Sequence, residues 1–130
     1  MFRVSLIDER QEIAAVYNGK PCLDVGLMTD VFSGYGKSDG IIRAVRCMSP
    51  DYIVTDELGA DAKSIRQAVN SGSGLIMTAH ADSIEEAYRN EGIRTVIDSG
   101  AIQHIALVQS HRITAVKQII TAEANAVCTI

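Results

Sequence analysis

Short apolar runs that end abruptly in polar residues set the rhythm of this chain. Phe2 to Ile7 (FRVSLI) is one such run, and it stops at Asp8-Glu9-Arg10. Tyr52 to Thr55 is the second, entered through Ser49-Pro50-Asp51 and left through Asp56-Glu57. Its Tyr52, Ile53 and Val54 are aromatic or β-branched, as strands favour, and both faces are apolar, as in a covered parallel strand. Gly74 to Ala79 (GLIMTA) is the third, closed by His80. Between these runs the period changes from strand-like to helical. Ile41, Ile42, Val45 and Met48 recur at helical spacing after Ser38, a plausible N-cap, with Arg43 and Arg46 on the other side. Ala62, Ile65, Ala68 and Val69 form a second stripe in a helix expected from Asp61 to about Ser71, ended by Gly72 and Gly74.

Ser83 with Glu86 has the spacing of a capping box, predicting a helix to about Asn90 that Gly92 breaks. Ile93 to Ser99 predicts a short helical turn. Ile102 to Gln109 and Ile113 to Ile120 are strand-like and separated by Ser110-His111-Arg112, which predicts an antiparallel hairpin. Gln11 to Val16 reads as a strand extension or an irregular turn. Tyr17 to Lys37 has no sustained period and is expected to be a long loop, with Val31-Phe32-Ser33 a weak strand at best. The order is β, loop, α, β, α, β, α, β, β. Strands alternating with helices imply an α/β fold with a mostly parallel sheet, and the hairpin is expected to add an antiparallel edge. The Ala-rich tail from Thr121 carries no clear period.

Composition narrows the class. The 130 residues, 47% hydrophobic and 22% charged, suit one domain (1–130) with a real core. A net charge of −4 offers no basic footprint for nucleic acid, so no nucleic-acid partner is expected. Cys22, Cys47 and Cys128 are odd in number and form no CxxC pair, which argues against a disulfide framework and fits a reducing cytoplasm. No apolar run reaches membrane-spanning length, so no transmembrane segment is expected. Met1-Phe2-Arg3 leads straight into strand-like residues, so no signal peptide is expected either.

In a parallel α/β sheet, ligands gather at the carboxyl ends of the strands. Asp8-Glu9-Arg10, Asp56-Glu57 and Thr78-Ala79-His80 would converge there. A hydrophobic strand ending in Asp56-Glu57 has the form of a Walker B motif, whose acid holds magnesium on a nucleotide. Blander roles exist for each group: an acidic loop capping the next helix, Glu9 paired with Arg10 or Arg43 on the surface, His80 satisfying a loop carbonyl. A single His with scattered acids makes a poor zinc site, so magnesium held partly by phosphate fits better. The phosphate cradle itself is missing. Gly36-Lys37-Ser38 ends like a P-loop and precedes a helix, but Val31 stands where the first Gly belongs. Lys37 is therefore expected to be a solvated loop lysine.

Four motifs in order carry a family resemblance: Val4 to Ala15 (VSLIDERQEIAA), Asp24 to Asp30 (DVGLMTD), Met48 to Gly59 (MSPDYIVTDELG) and Leu75 to Ser83 (LIMTAHADS). Together they resemble the stage III sporulation protein AA family, RecA-like P-loop ATPases related to type II and type IV secretion ATPases. The resemblance spans roughly residues 4–120. It implies a RecA-like core with ATP and Mg2+ as cofactors. Asp56 and Glu57 match the Walker B acids at the metal. Asp8, Glu9, Arg10 and Glu12 match an acidic box in which a glutamate activates water, with Arg10 at the nucleotide. Thr78 and His80 match a histidine box beside the γ-phosphate. On this resemblance Glu9, Glu57 and His80 are the catalytic candidates, and Asp56, Thr78 and Arg10 the nucleotide-binding ones.

The resemblance also implies a homo-oligomer, a hexameric ring, that powers a transport channel between mother cell and forespore. Its partners would be sporulation channel membrane proteins, with the chain cytoplasmic and peripheral to the channel. Arg3, Arg10, Arg43, Arg46 and Arg112 are candidates to act in trans in such a ring. The family's Walker A loop and its strand lie just upstream of the segment matching Val4. These residues are thus expected to be the C-terminal portion of the core, lacking the first strand and P-loop. Alone they are expected to bind ATP weakly or not at all and not to hydrolyse it, because loop amides and the P-loop lysine carry most of the phosphate grip. The sheet edge left by the missing strand would invite self-pairing. The alternative is a non-catalytic protein-interaction module built on an ATPase fold.

Overall fold

The computed structural model describes residues 1–57 and 62–119. Four parallel strands form one sheet in the order β2-β1-β3-β4: β1 (Val4–Asp8), β2 (Thr29–Ser33), β3 (Tyr52–Glu57) and β4 (Gly74–Thr78). Helix α1 (Lys37–Cys47) links β2 to β3, and α2 (Ala62–Asn70) links β3 to β4. Helices α3 (Ile84–Arg89) and α4 (Glu91–Asp98) follow, then a hairpin of β5 (His104–Gln109) and β6 (Arg112–Gln118). The α/β class, the parallel sheet flanked by helices and the C-terminal hairpin all agree with the hydrophobic pattern.

Burial follows from the alternation of side chains along a strand. On one face of β1, Ile7 is fully buried against α1, where Gly40 leaves no room for a side chain: a Cβ there would lie 2.5 Å from Ile7 Cγ2. On the other face, Asp8 reaches the turn at Glu12–Ala14, and Ala14 is fully buried. The core is continuous from Ile7, Ile41, Ile53, Ile65, Leu75 and Met77 to Ile93, Val96, Ile102 and Ile105. At the amino-terminal edge, Asp51 ties the strands together. Its carboxylate accepts from Arg3 N–H at 2.7 Å, its own N–H donates to Arg3 O, and its carbonyl accepts from Gly74 N–H.

Four expectations need correction. The Tyr17 to Lys37 segment is not all loop: Thr29–Ser33 is a full strand, paired in parallel with β1 from Val4↔Thr29 to Asp8↔Ser33. Its polar Asp30 and flanking glycines hide it from pattern, and pairing with β1 supplies what its own sequence lacks. Ser38 is not the N-cap; α1 begins at Lys37 after Gly36, with no side-chain cap. Gly92 does not break the chain. Asn90 does, and its Oδ1 caps α4 by accepting from Gly92 and Ile93 N–H at 3.0 and 3.3 Å. The hairpin does not extend the parallel sheet but forms a two-stranded sheet of its own. It is held instead by Ile105 in the core, by Ile119 N–H to Gln103 O at 2.7 Å, and by Lys117 over the Tyr88 ring.

Ser83 caps α3 as the spacing predicts, accepting from Glu86 N–H at 3.1 Å, while Glu86 Oε2 accepts from Asp82 N–H. The hairpin turn places both Ser110 and His111 at positive φ, 50° and 61°, matching a two-residue turn whose twist suits the flanking strands. The expected start of α2 at Asp61 and the tail from Thr121 lie outside the described residues.

Two consequences are measurable. Gly40→Ala gains about 1 kcal/mol of helix propensity but overpacks a buried isoleucine at about 1–3 kcal/mol. A net loss of about 1 kcal/mol is expected in urea unfolding, and the Ile7→Ala background should abolish it. Asp51 is held below its ordinary pKa, first by the Arg3 backbone hydrogen bond. Its contribution is therefore present above the ordinary carboxylate pKa and is lost as pH falls through the depressed value. Asp51→Asn should lower the melting temperature at neutral pH, with the gap to the native chain closing in acid.

Candidate functional site

Parallel pairing carries the polar strand ends to one edge. Asp8 lies beside Ser33, Ile7 beside Thr55, and Glu57 beside Thr78. The β3–β4 register shifts between Thr55 and Glu57, a bulge-like irregularity at the Asp56-Glu57 pair. Such shifts re-aim side chains next to functional sites. Here Thr55 and Asp56 are both buried, which strict alternation on a half-covered sheet would not give. Helix α1 starts at the same edge because β2 runs parallel to β1 and ends there.

That topology brings in a residue the sequence assigned to solvent. Lys37 is only 7% exposed. Its Nζ lies 3.0 Å from Asp56 Oδ1 and 3.3 Å from Glu9 Oε2. Asp56 is itself 8% exposed, so this is a largely buried ion pair, whereas Glu9 remains open to solvent. A solvated loop lysine is therefore incorrect. Gly36-Lys37-Ser38 had shown a helix start; recognising β2 as a strand would have placed Lys37 on the ligand edge as well.

A second pair crosses beside the first. Arg10 Nη2 lies 3.1 Å from Glu57 Oε2, with both side chains over a third exposed. Such a pair contributes about 0–1 kcal/mol. Two consecutive residues after β1, Glu9 and Arg10, thus engage Lys37 and Glu57. Glu9 takes neither of the arginine partners considered for it. Among the other arginines, Arg3 pairs with Asp51 at 3.7 Å and Arg43 sits over the Tyr35 ring.

Asp8 has a structural role at this edge. It is fully buried, and its carboxylate accepts from Glu12 and Ile13 N–H through Oδ1, and from Ile13 and Ala14 N–H through Oδ2. Its carbonyl accepts from Gly34 N–H at 3.0 Å, fastening the turn before α1 as well. Asp8 therefore shapes the turn that carries Glu9 and Arg10.

The end of β4 is more open. Thr78 and His80 are exposed at the end of β4, and the structure gives His80 no hydrogen bond or ion pair among the described residues. Thr78 also lines a cavity of about 170 Å³ walled by Ala79, Ile84, Ala87, Ile105 and Leu107. That cavity is apolar and belongs to the α3–hairpin side, not to the carboxylates.

At this edge of the sheet, Asp56 keeps an unpartnered oxygen; Ser5 Oγ and His104 Nδ1, elsewhere among the described residues, are also buried without a partner. Asp56 Oδ1 is engaged by Lys37 and more distantly by Thr55 Oγ1 at 3.5 Å, but its Oδ2 is buried with no hydrogen-bond partner among the described residues. Buried acceptors without partners are rare and call for an explanation. One spare carboxylate oxygen suits a hard cation that takes its other ligands from phosphate and water. Among the described residues, no group of three His, Cys, Asp or Glu side chains assembles into a self-sufficient metal cage.

The Asp8 arrangement predicts that Asp8→Ala leaves the turn amides without their acceptor. A loss of about 2 kcal/mol or more is expected in denaturant unfolding. Faster amide exchange at Glu12–Ala14 would show that the loss is seated in this turn.

Known proteins can now be set beside this geometry. The family described as "Sporulation stage III, protein AA" matches residues 2–126. The chain is 27% identical over 126 residues to "Stage III sporulation protein AA" of Bacillus subtilis (strain 168), covering 95% of this chain and 41% of that protein. It thus spans about two fifths of the length of the curated relative it matches. No solved structure matches. The family match, running across nearly the whole chain, shows that this protein belongs to the sporulation stage III protein AA family.

Proposed function

We propose that this chain forms the metal-side half of the ATP site in a RecA-like sporulation ATPase related to secretion ATPases. The observation that carries the reading is Asp56: a nine-tenths-buried strand-end carboxylate with one oxygen tied to Lys37 and the other without a partner. Such a group is placed to hold a cation at the ligand edge of a parallel sheet. Magnesium held there would neutralise charge on the phosphate oxygens of the nucleotide. Glu57 stands next to it, partly exposed, in position to orient water or accept its proton. Glu9, open to solvent beside Lys37, is a second candidate for that task. Thr78 and His80 are exposed on the adjoining strand end, available to contact a terminal phosphate.

The reading assigns the phosphate grip to a Gly-rich loop outside these 130 residues. It follows that the chain alone binds Mg-ATP weakly or not at all and does not hydrolyse it. The assembled enzyme would be a ring hexamer, cytoplasmic and peripheral to a membrane channel, coupling hydrolysis to the assembly or operation of that channel through contacts with its membrane proteins. Among the described residues, no helix is long and apolar enough to cross a membrane.

A second reading has its own support. Asp56 and Glu57 are both already paired with cationic side chains of this chain. That favours a non-catalytic interaction module on the same fold. Two measurements separate the possibilities. Calorimetry of the chain with Mg-ATP should show no micromolar binding; micromolar affinity would refute the argument about the phosphate grip. In a longer protein that carries the Gly-rich loop, Glu57→Gln should retain nucleotide binding and lose about a hundredfold or more in turnover. Unchanged turnover would reject the catalytic assignment of Glu57 and leave the interaction module as the better account.

A further inference from the structure

Lys37 is the least expected group at this edge. Burying an ammonium is costly unless it is well paired. Its position adds to that cost, because it is the first residue of α1, at the positive end of the helix dipole. Two carboxylates offset both terms, Asp56 at 3.0 Å and Glu9 at 3.3 Å. One lies on β3 and the other in the turn after β1, so Lys37 Nζ occupies the point between two oxygens that would otherwise repel one another. Divalent ions take carboxylate oxygens at about 2.0–2.6 Å. A small contraction of the same two groups would therefore hold an ion where the ammonium now sits. The unpartnered Asp56 Oδ2 leaves further acceptor capacity on that carboxylate.

We propose that Lys37 is the resident cation of this site: it occupies the place of a divalent ion between Asp56 and Glu9, and its displacement sets the affinity for one. This deepens the metal-side reading above and rests on it for the use of the ion. The resting state is then a closed, charge-compensated edge in which Asp56 is stabilised without metal. Loading requires the ammonium to leave both carboxylates, and once released it is a free cation at the same edge, available to a phosphate oxygen.

The test uses Mn2+ alone, with no nucleotide, followed by electron paramagnetic resonance of the free ion. The native chain should bind Mn2+ weakly, and Lys37→Met should bind it at least about tenfold more tightly, because a competing positive charge is gone. Lys37→Arg, which keeps the charge, should remain near the native affinity. The gain should disappear in Lys37→Met/Asp56→Asn. Lys37→Gln keeps an N–H donor for Asp56 and replaces Lys37→Met if the latter does not fold.

A second readout needs no variant. Acetylation of Lys37 by acetic anhydride, quantified by mass spectrometry, should be slow in the native chain and rise several-fold with bound Mn2+. Labelling of the exposed Lys20 and Lys63 should not change. Unaltered Mn2+ affinity in both neutral variants, a gain that survives loss of Asp56, or Lys37 labelling unchanged once Mn2+ is bound would each overturn the proposal. Because no nucleotide is present, these results do not depend on turnover. Lys37 can be the resident cation in a chain that never meets ATP, and a true ATPase can lack this exchange.

Discussion

A single buried ammonium organises the polar edge of this protein. Lys37 can be buried only if carboxylates from the sheet meet it, and Asp56 can be buried only if a cation meets it. Each supplies the opposite charge that the other needs, so in the resting structure the start of α1 and the end of β3 are fixed together. Glu9 adds a third point from the end of β1. Three elements that are distant in sequence are thereby held at one place. The energetic consequence is asymmetric: removing either buried partner strands the other, at about 3–5 kcal/mol, whereas the pair itself need add little net stability.

The surrounding structure serves that junction. The Asp8 carboxylate fastens the Glu12–Ala14 amides and its backbone carbonyl accepts from Gly34 N–H, so the turn that carries Glu9 and the turn before α1 are both tied to one buried residue. Gly40 lets α1 lie close on Ile7. The irregular register at Thr55–Glu57 gives the two adjacent acids different environments: Asp56 is nearly enclosed and bound to Lys37, while Glu57 is partly open and bound to Arg10. Two neighbouring carboxylates can then do different work, one holding charge in place and one facing water.

Some of this was legible from the residues. The runs FRVSLI, YIVT and GLIMTA are apolar enough to be strands in almost any context, and the acids and histidine that stop them mark one sheet edge once the strands are parallel. The capping serine at Ser83 declares itself because its partner, Glu86, is three residues away. Thr29–Ser33 does not, because its case as a strand depends on β1, some 25 positions earlier in register. Lys37 followed the same error: without β2 there was no reason to place it at the ligand edge. The hairpin was readable as a hairpin from its polar turn, but not where it attached, since that depends on Ile105 reaching the core and Lys117 meeting Tyr88.

The division is one of range. The sequence by itself determined the α/β class, the alternation of strands and helices and the identity of the acids at the strand ends, because propensity, periodicity and capping act over a few neighbouring residues. Only the tertiary structure decided that Asp8 is a staple, that Lys37 is buried and that Asp56 keeps one oxygen without a partner. Those are matters of desolvation, and desolvation of a charge depends on which distant groups arrive beside it.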